Sequence, residues 1–162
     1  MKQQPKSNTL CIVGRSAGYD GCYTVEGDTW VVSSIYEKMI PDKVDLVFNL
    51  HKPDVWEKWL TDIKSQVVTA FPFGDNVYPV KNMLDKYGPV FGSSVSWMLA
   101  LAIEYKYEKI YLFGLDMASK EEYVNQRDTL FYMIGRAEAL GIEIIIPEES
   151  RIFFKDRIYG VV

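Results

Sequence analysis

The chain has 162 residues, 48% of them hydrophobic and 25% charged, which is the size and composition of one soluble globular domain. Its net charge of −4 provides no basic field, so neither nucleic acid nor an anionic membrane surface is expected as a partner. No apolar run approaches the roughly 20 residues of a spanning helix, and the polar start MKQQPKSN lacks the apolar core of a leader peptide. The sequence therefore predicts a cytoplasmic protein, and the spacing of Cys11 and Cys22 predicts no metal site.

The first half of the chain alternates short apolar runs with turn-forming segments. The β-branched run 9–13 predicts a strand, and the segment 14–21 after it is rich in Gly, Ser and Asp, which predicts tight turns. Ser33 and Ser34 predict the cap of a short helix that Pro41 ends. The strands predicted in this half are 9–13, 29–32, 44–50 and 66–70.

A further helix is predicted after the third strand, with Asp54 as its N-cap and apolar residues at helical spacing. The apolar face of this helix would consist of Trp56, Trp59, Leu60 and Ile63. The segment 71–80 has two prolines, a glycine and an Asp-Asn pair, so it is predicted to be irregular. One or two helical turns are expected at 81–86.

The second half of the chain predicts two long helices and two buried strands. Apolar residues line one face of a helix over 94–105. Strand 109–114 is continuously apolar, as a sheet covered on both faces requires. A helix over 121–140 is predicted to end at Gly141, before a last strand at 142–146.

Strands that alternate with helices along the chain predict an α/β fold. We expect a single Rossmann-like three-layer domain over 1–162, with a mostly parallel sheet of about six strands and helices on both faces. The tail 151–162 is apolar enough to pack against this body. Together with the many aromatic residues, that tail makes a homodimer a reasonable expectation.

The turn Gly92-Ser93-Ser94 is the best candidate for binding an anion. The amides of Ser93 and Ser94 would be free donors at a helix start, where the helix dipole favours negative charge. The strand after this helix exits at Asp116, whose carboxylate could accept hydrogen bonds from a ribose or sugar hydroxyl. The ordinary alternatives are a serine pair that only caps its helix and an aspartate that caps the next one.

A second candidate is the turn Gly14-Arg15-Ser16 at the exit of the first strand. The spacing from Gly14 to Gly18 does not match the dinucleotide fingerprint, and no Walker lysine motif occurs in the chain. Arg15 would be the charge partner of a phosphate or carboxylate. The glycines could equally serve only to turn the chain.

Helix 121–140 and the single histidine supply the remaining candidates. Tyr123, Gln126 and Arg127 lie close together in the sequence, and the first and last share a helix face, where they could stack on a base and hold a phosphate. An ordinary solvated helix face is the alternative. His51 follows the third strand and is the one candidate for proton transfer near neutral pH. Its alternative is a loop histidine with a satisfied hydrogen bond.

The segment 88–117 resembles the corresponding part of the bacterial sialyltransferases that use a CMP-activated donor. In that family a T-S-G turn starts a helix, and an apolar strand of the form EIYLxGID follows. Here the turn is Gly92-Ser93-Ser94 and the strand region 108–116 reads EKIYLFGLD. The pattern is also similar to a broader Rossmann-like group with a pterin pyrophosphokinase and motility accessory proteins. The size and the ending of the chain resemble small bacteriophage proteins, which implies a phage-encoded protein in a host cytoplasm.

The resemblance implies a nucleotide-binding protein. If it is catalytic, the resemblance implies a transferase acting on a nucleotide-activated or phosphorylated small molecule, with a CMP-type or other nucleotide as ligand and magnesium left open. Two family asparagines that contact the donor match Arg15 and Ser33 here. The chain lacks the family's long insert after the aspartate, which forms a lid and carries a catalytic histidine. A non-catalytic module that sequesters a nucleotide is therefore the second hypothesis, and a structural or interaction protein is the third.

Overall fold

The computed structural model describes residues 4–117, 121–148, 150 and 152, with the backbone alone at 55 and 121–125. In this part of the chain, seven strands form one parallel sheet in the order β5-β4-β3-β2-β1-β6-β7. The strands are β1 Thr9–Val13, β2 Asp28–Val32, β3 Leu46–Phe48, β4 Val67–Thr69, β5 Asn76–Val77, β6 Lys109–Phe113 and β7 Glu143–Ile145. The predicted α/β fold is confirmed. The extra strand, β5, lies in a segment for which the sequence predicts irregular structure.

The centre of the sheet is a topological switch point. β1 pairs with β2 on one side and with β6 on the other, and Val13 lies opposite both Val31 and Phe113. Because all the pairs are parallel, the carboxyl ends of these three strands lie at the same edge of the sheet. Chain connections leave β1 and β6 in opposite directions, which opens a crevice between the two strand ends.

Alternate residues of β1 point to two different cores. Ile12 faces the core beneath the α-helices, whereas Val13 faces the opposite side of the sheet. That opposite side is covered by the 3-10 helices Tyr19–Thr24 and Ser33–Lys38. The α-helices on the first side are α1 Val80–Tyr87, α2 Ser94–Glu104 and α3 Glu121–Ala139. Helical segments thus cover both faces, as predicted, but on one face they are 3-10 helices.

The predicted caps at Ser33 and Ser34 are wrong. The 3-10 helix Ser33–Lys38 has Val32 at its N-cap position, and no side chain accepts a capping hydrogen bond. Both serines therefore lie inside the first turn instead of ahead of it. This places their side chains at the exit of β2, beside the end of β1.

The predicted helix capped by Asp54 is also wrong. The segment forms two short 3-10 helices, Pro53–Val55 and Lys58–Thr61, and Asp54 lies within the first of them. Ring packing explains the difference, because Trp59 stacks on Tyr36 with centroids 5.1 Å apart and planes 12° apart. Isolated short helices are marginal, so this tertiary contact outweighs the helical spacing of the apolar residues.

The predicted packing of the tail can be followed at one position. Ile152 is fully buried, and the rest of 151–162 lies outside the described residues. Within the described ranges, no helix combines the length and the apolar character needed to cross a membrane.

Candidate ligand-binding cleft

A cleft of about 470 Å³ opens at the carboxyl edge of the sheet, above the switch point. Its walls are the loops after β1, β2, β3 and β6 together with the start of α2. Its size and position are those of a small-molecule site in an open α/β sheet. The predicted site residues that line it are Gly14, Arg15, Ser16, Ser33, His51, Gly92, Ser93, Ser94, Asp116 and Gln126.

Two glycines let the loops after β1 and β6 cross in close contact. The amide of Gly14 donates to the carbonyl of Phe113 at 2.9 Å, and the amide of Ser16 donates to the carbonyl of Gly114 at 2.8 Å. A Cβ atom on Gly14 would lie 2.6 Å from the carbonyl oxygen of Gly114. Gly114 itself has φ +60°. This packing accounts for both glycines without a ligand, so a phosphate-binding role of Gly14 stays a prediction.

Ser93 caps the start of α2, which is the ordinary alternative for the serine pair, and of the two predicted free amides only that of Ser94 has no described acceptor. Ser93 and Ser96 form a capping box: each side-chain oxygen accepts from the other residue's amide, at 3.2 Å in both cases. The amide of Gly92 donates to Oγ1 of Thr129 on α3 at 3.3 Å. The predicted free amide of Ser93 is therefore wrong.

Two amides of the first helical turn remain available. Among the described residues, nothing accepts a hydrogen bond from the amides of Ser94 and Val95. Both residues line the cleft. Since the positive end of the helix dipole lies at these amides, an anion in the cleft would be stabilised there.

Asp116 provides an unsatisfied acceptor in the same cleft. Its Oδ1 atom is buried and has no hydrogen-bond partner in the described structure. The residue lies between Gly114 and Met117, which both have positive φ, and Met117 at +51° is unusual for a bulky side chain. A buried carboxylate oxygen is costly unless a donor such as a ligand or an ordered water supplies its hydrogen bond.

The sequence missed a second buried acceptor at this edge. Asn49 follows β3, is only 4% exposed, and has an Oδ1 atom without a hydrogen-bond partner in the part of the chain that is described. Its neighbours Phe48 and Leu50 line the cleft. Both unsatisfied side-chain oxygens, those of Asn49 and Asp116, thus lie just beyond the carboxyl ends of strands.

Arg15 supplies positive charge at the mouth of the cleft. Its side chain is exposed and forms no ion pair with any described carboxylate. A guanidinium in this position can present two parallel N–H donors to a phosphate or a carboxylate. Ser33 contributes a hydroxyl from the exit of β2 on the same side.

Arg127 is not part of the cleft, and the predicted role of its guanidinium in holding a phosphate is wrong. The residue is 8% exposed, its Nη2 donates to the carbonyl of Ile152, and its guanidinium lies 5.3 Å from the ring centroid of Phe131. Arg127 instead anchors the segment after β7 against α3. Gln126 does line the cleft, whereas the side chain of Tyr123 lies outside the described residues.

His51 lies at the rim of the cleft and is exposed. Its carbonyl accepts a hydrogen bond from Nε1 of Trp56 at 2.8 Å, while its imidazole has no partner among the described residues. Over the same residues, no group of three or more His, Cys, Asp or Glu side chains could hold a metal ion. Cys11 and Cys22 are free and buried, and burial raises the pKa of the Cys11 thiol to about 12.

The wall of the cleft also contains an aromatic pair that was not predicted from the sequence. Phe91 and Trp97 stack with ring centroids 3.7 Å apart and planes 11° apart, and both line the cleft. A signal was present, since the two residues flank the turn Gly92-Ser93-Ser94 on either side. Their contact, however, depends on the path of that turn, which the sequence alone does not give.

No family model matches the chain, and no curated protein matches it. Among solved structures, it resembles the sialyltransferase CstII from Campylobacter jejuni in complex with the substrate analogue CMP-3FNeuAc. The identity is 14%, the match covers 85% of this chain and 79% of that chain, and the TM-score is 0.46. A mutant of the α-2,3/8-sialyltransferase CstII matches at 13% identity, with 85% and 80% coverage and a TM-score of 0.45. At 13–14% sequence identity the resemblance is one of structure, and it says nothing about the activity of this chain.

Proposed function

We propose that the cleft binds a nucleotide or a nucleotide-sugar. One observation supports the proposal: within the described part of the chain, the Oδ1 atom of Asp116 and the amides of Ser94 and Val95 have no hydrogen-bond partner, and all three residues line the same cleft. The cleft therefore needs a ligand that brings hydrogen-bond donors to one place and negative charge to another. A phosphorylated molecule with free hydroxyls has both properties, and nucleotides and nucleotide-sugars are molecules of this kind.

The phosphate would lie at the start of α2. The amides of Ser94 and Val95 would donate to its oxygens, and the helix dipole would favour its charge. Arg15 would reach the same group from the loop after β1, because both segments line one cleft. Ser33 and Ser16 are the hydroxyl side chains placed to complete this shell.

The carboxylate of Asp116 would accept a hydrogen bond from a ribose or sugar hydroxyl. A ligand donor would satisfy the buried Oδ1 atom, which accepts no hydrogen bond from the described residues, and this contact would add to the affinity. Hydrogen bonds to charged groups are worth about 1.5–3 kcal/mol, which makes this contact one of the strongest that the cleft can offer a ligand.

Two outcomes are possible once the ligand is bound. If the protein is a transferase acting on a nucleotide-activated or phosphorylated molecule, His51 is the residue for proton transfer. If it is a non-catalytic module, the nucleotide is held without reaction. The exposed position of His51, with no described partner to orient its imidazole, favours the second outcome.

Thermal-shift and calorimetric titrations test the binding proposal. The panel is CMP, CMP-sugars, other nucleoside phosphates and cyclic dinucleotides, each with and without magnesium. A specific ligand at 100 times its Kd should add about 2.7 kcal/mol to the free energy of unfolding and raise Tm accordingly. The variant Arg15→Ala should weaken binding, whereas Arg136→Ala, on α3 against Tyr87, should not. Absence of any shift across the panel contradicts the proposal.

The distinction between enzyme and module needs a separate measurement. Each ligand that binds is incubated with the protein for many hours and then recovered for mass analysis. Unchanged ligand supports the non-catalytic module. Turnover supports the transferase, and in that case His51→Ala should abolish turnover while leaving Kd unchanged.

A further inference from the structure

We propose that the stacked pair Phe91–Trp97 is the platform for the ligand's planar base, which makes the cleft selective for nucleotides over sugar phosphates. The inference rests on the proposed function and adds the determinant of its ligand class. Bases stack on aromatic side chains largely irrespective of their identity, because each base has a π-face. The platform therefore predicts a preference for a base, without a preference for one particular base.

The pair is held rigidly at the wall of the cleft. The hydroxyl of Tyr78 donates to the carbonyl of Trp97 at 2.7 Å, and the two rings lie nearly perpendicular, with centroids 5.2 Å apart and planes 81° apart. The rings of Tyr87 and Phe91 are also steeply inclined to each other, with centroids 6.3 Å apart and planes 73° apart. Both platform residues are only partly buried although they touch the core. Such a fixed, partly open aromatic surface loses little conformational entropy when a second flat ring covers it.

The position of the platform matches the proposed phosphate site. Trp97 lies in the first turn of α2, four residues after Ser93, which is about 6 Å along a helix axis. Phosphate donors and aromatic platform are thus neighbours on one helix end. Apolar side chains of Val32 and Leu50 line the same cleft. A sugar phosphate alone would leave this apolar and aromatic wall in contact with water, whereas a base would cover it.

A second parallel pair in the molecule provides a control. Tyr36 and Trp59 stack at 5.1 Å and 12°, but neither residue lines the cleft, and both pack against the opposite core. Removal of Trp59 therefore disrupts another nearly parallel aromatic pair without touching the proposed site. A change in ligand preference that is confined to Trp97 variants would come from the platform.

The test compares the Kd of the four nucleoside 5′-monophosphates with that of ribose 5-phosphate by calorimetry. We expect the wild-type protein to bind at least one nucleotide about 5- to 100-fold more tightly than ribose 5-phosphate. Trp97→Leu should remove most of this ratio by weakening nucleotide binding, with the Kd of ribose 5-phosphate unchanged. Trp97→Phe should retain much of the ratio, and Trp59→Leu all of it.

Other results would overturn the aromatic platform alone or both proposals together. Equal Kd values for nucleotides and ribose 5-phosphate overturn the platform while leaving the phosphate site in place. The same holds if Trp97→Leu weakens both ligands equally, because that is the result of a purely structural role. No binding of either ligand overturns both proposals. If Trp97→Leu does not fold, as judged by near-UV circular dichroism, Phe91→Leu and Trp97→Phe serve for the same comparison of ratios.

Discussion

The amino and carboxyl edges of the sheet differ in the hydrogen bonds that a buried carboxylate oxygen receives. At the amino edge, Asp28 is 3% exposed, and its Oδ2 accepts hydrogen bonds from the Tyr107 hydroxyl at 2.6 Å and from the Lys6 amide at 3.0 Å. At the carboxyl edge, Asp116 has a buried Oδ1 that accepts none from the described residues. The described residues thus supply hydrogen-bond donors to Asp28 and none to the Oδ1 atom of Asp116.

Helix α2 joins the two edges and shows the same difference at its ends. Its first turn, in the cleft, leaves the amides of Ser94 and Val95 without described acceptors. At its last residue, the side chain of Glu104 is held by Lys86 at 2.6 Å and by the Tyr87 hydroxyl at 2.5 Å. The polar groups compared at the amino edge thus have hydrogen-bond partners, whereas those compared in the proposed ligand cleft have none among the described residues. Substitutions at the amino edge should therefore change stability, and substitutions at the carboxyl edge should change ligand binding.

The largest expected effect is the loss of stability in Asp28→Ala. The variant leaves the buried hydroxyl of Tyr107 and the amide of Lys6 without their acceptor. Unsatisfied buried groups cost about 1–3 kcal/mol each, so we expect a loss of about 3 kcal/mol in the free energy of unfolding, measured by urea denaturation. Tyr107→Phe, which removes only one donor, should cost about 1 kcal/mol. A loss below about 1 kcal/mol in Asp28→Ala would mean that the amino edge is not a stabilising network.

The corresponding change at the carboxyl edge should act on binding instead. Asp116→Ala removes an acceptor that the described chain does not satisfy, so the free energy of unfolding of the free protein should stay within about 0.5 kcal/mol or rise. Nucleotide affinity should fall about 10- to 100-fold, because a ligand hydroxyl loses a charged acceptor. Calorimetry measures the affinity. Asp85→Ala, an exposed carboxylate on α1, is the matched control and should change neither quantity by much. Destabilisation of Asp116→Ala by several kcal/mol with normal binding would reverse the roles of the edges.

The features that could be predicted from sequence are those with local causes. Apolar runs of strand length predicted six of the strands, and the serine pair before an apolar helical pattern predicted the start of α2 at Ser94. Asp116 could be predicted near a strand exit because it is the first charged residue after the apolar run that forms β6. Parallel pairing then brings such exits together at one edge, which is why most predicted site residues line one cleft.

The features that could not be predicted depend on partners distant in the sequence. The helix position of Arg127 is compatible with a ligand-binding role until the carbonyl of Ile152 is known to receive its hydrogen bond. The helix expected after Asp54 is wrong because Trp59 stacks on Tyr36 from another segment. Helical spacing describes one element at a time, and neither contact lies within one element.

A smaller effect is expected at the loop that leads from α2 into β6. Lys106 follows Tyr105, the C-cap residue of α2, and has φ +59°; its amide donates to the carbonyl of Ile103 at 3.0 Å. Glycine adopts this left-handed conformation without a Cβ penalty, so Lys106→Gly should raise the free energy of unfolding by about 0.5–1 kcal/mol. Lys106→Ala, which keeps the Cβ atom, should give no such gain. Because the residue lies at the amino edge, nucleotide affinity should be the same in both variants.

The smallest effect is a pH dependence at the end of α2. Partial burial opposes ionisation of Glu104, but hydrogen bonds from Lys86 and Tyr87 outweigh it and lower the pKa of the carboxyl below its ordinary value of 4.5. A lowered folded-state pKa stabilises the protein above pH 4.5, and this contribution is lost as the pH falls further. The free energy of unfolding of the wild-type protein should therefore exceed that of Glu104→Gln by less than about 1 kcal/mol from about pH 7 to about pH 5. The difference is small because the ion pair is partly exposed. Below that range the two unfolding free energies should converge in urea titrations at successive pH values. A difference in unfolding free energy that grows on acidification would show that burial raises the pKa of Glu104 more than its hydrogen bonds lower it. The carboxylate at this edge would then be less well stabilised than its hydrogen bonds indicate.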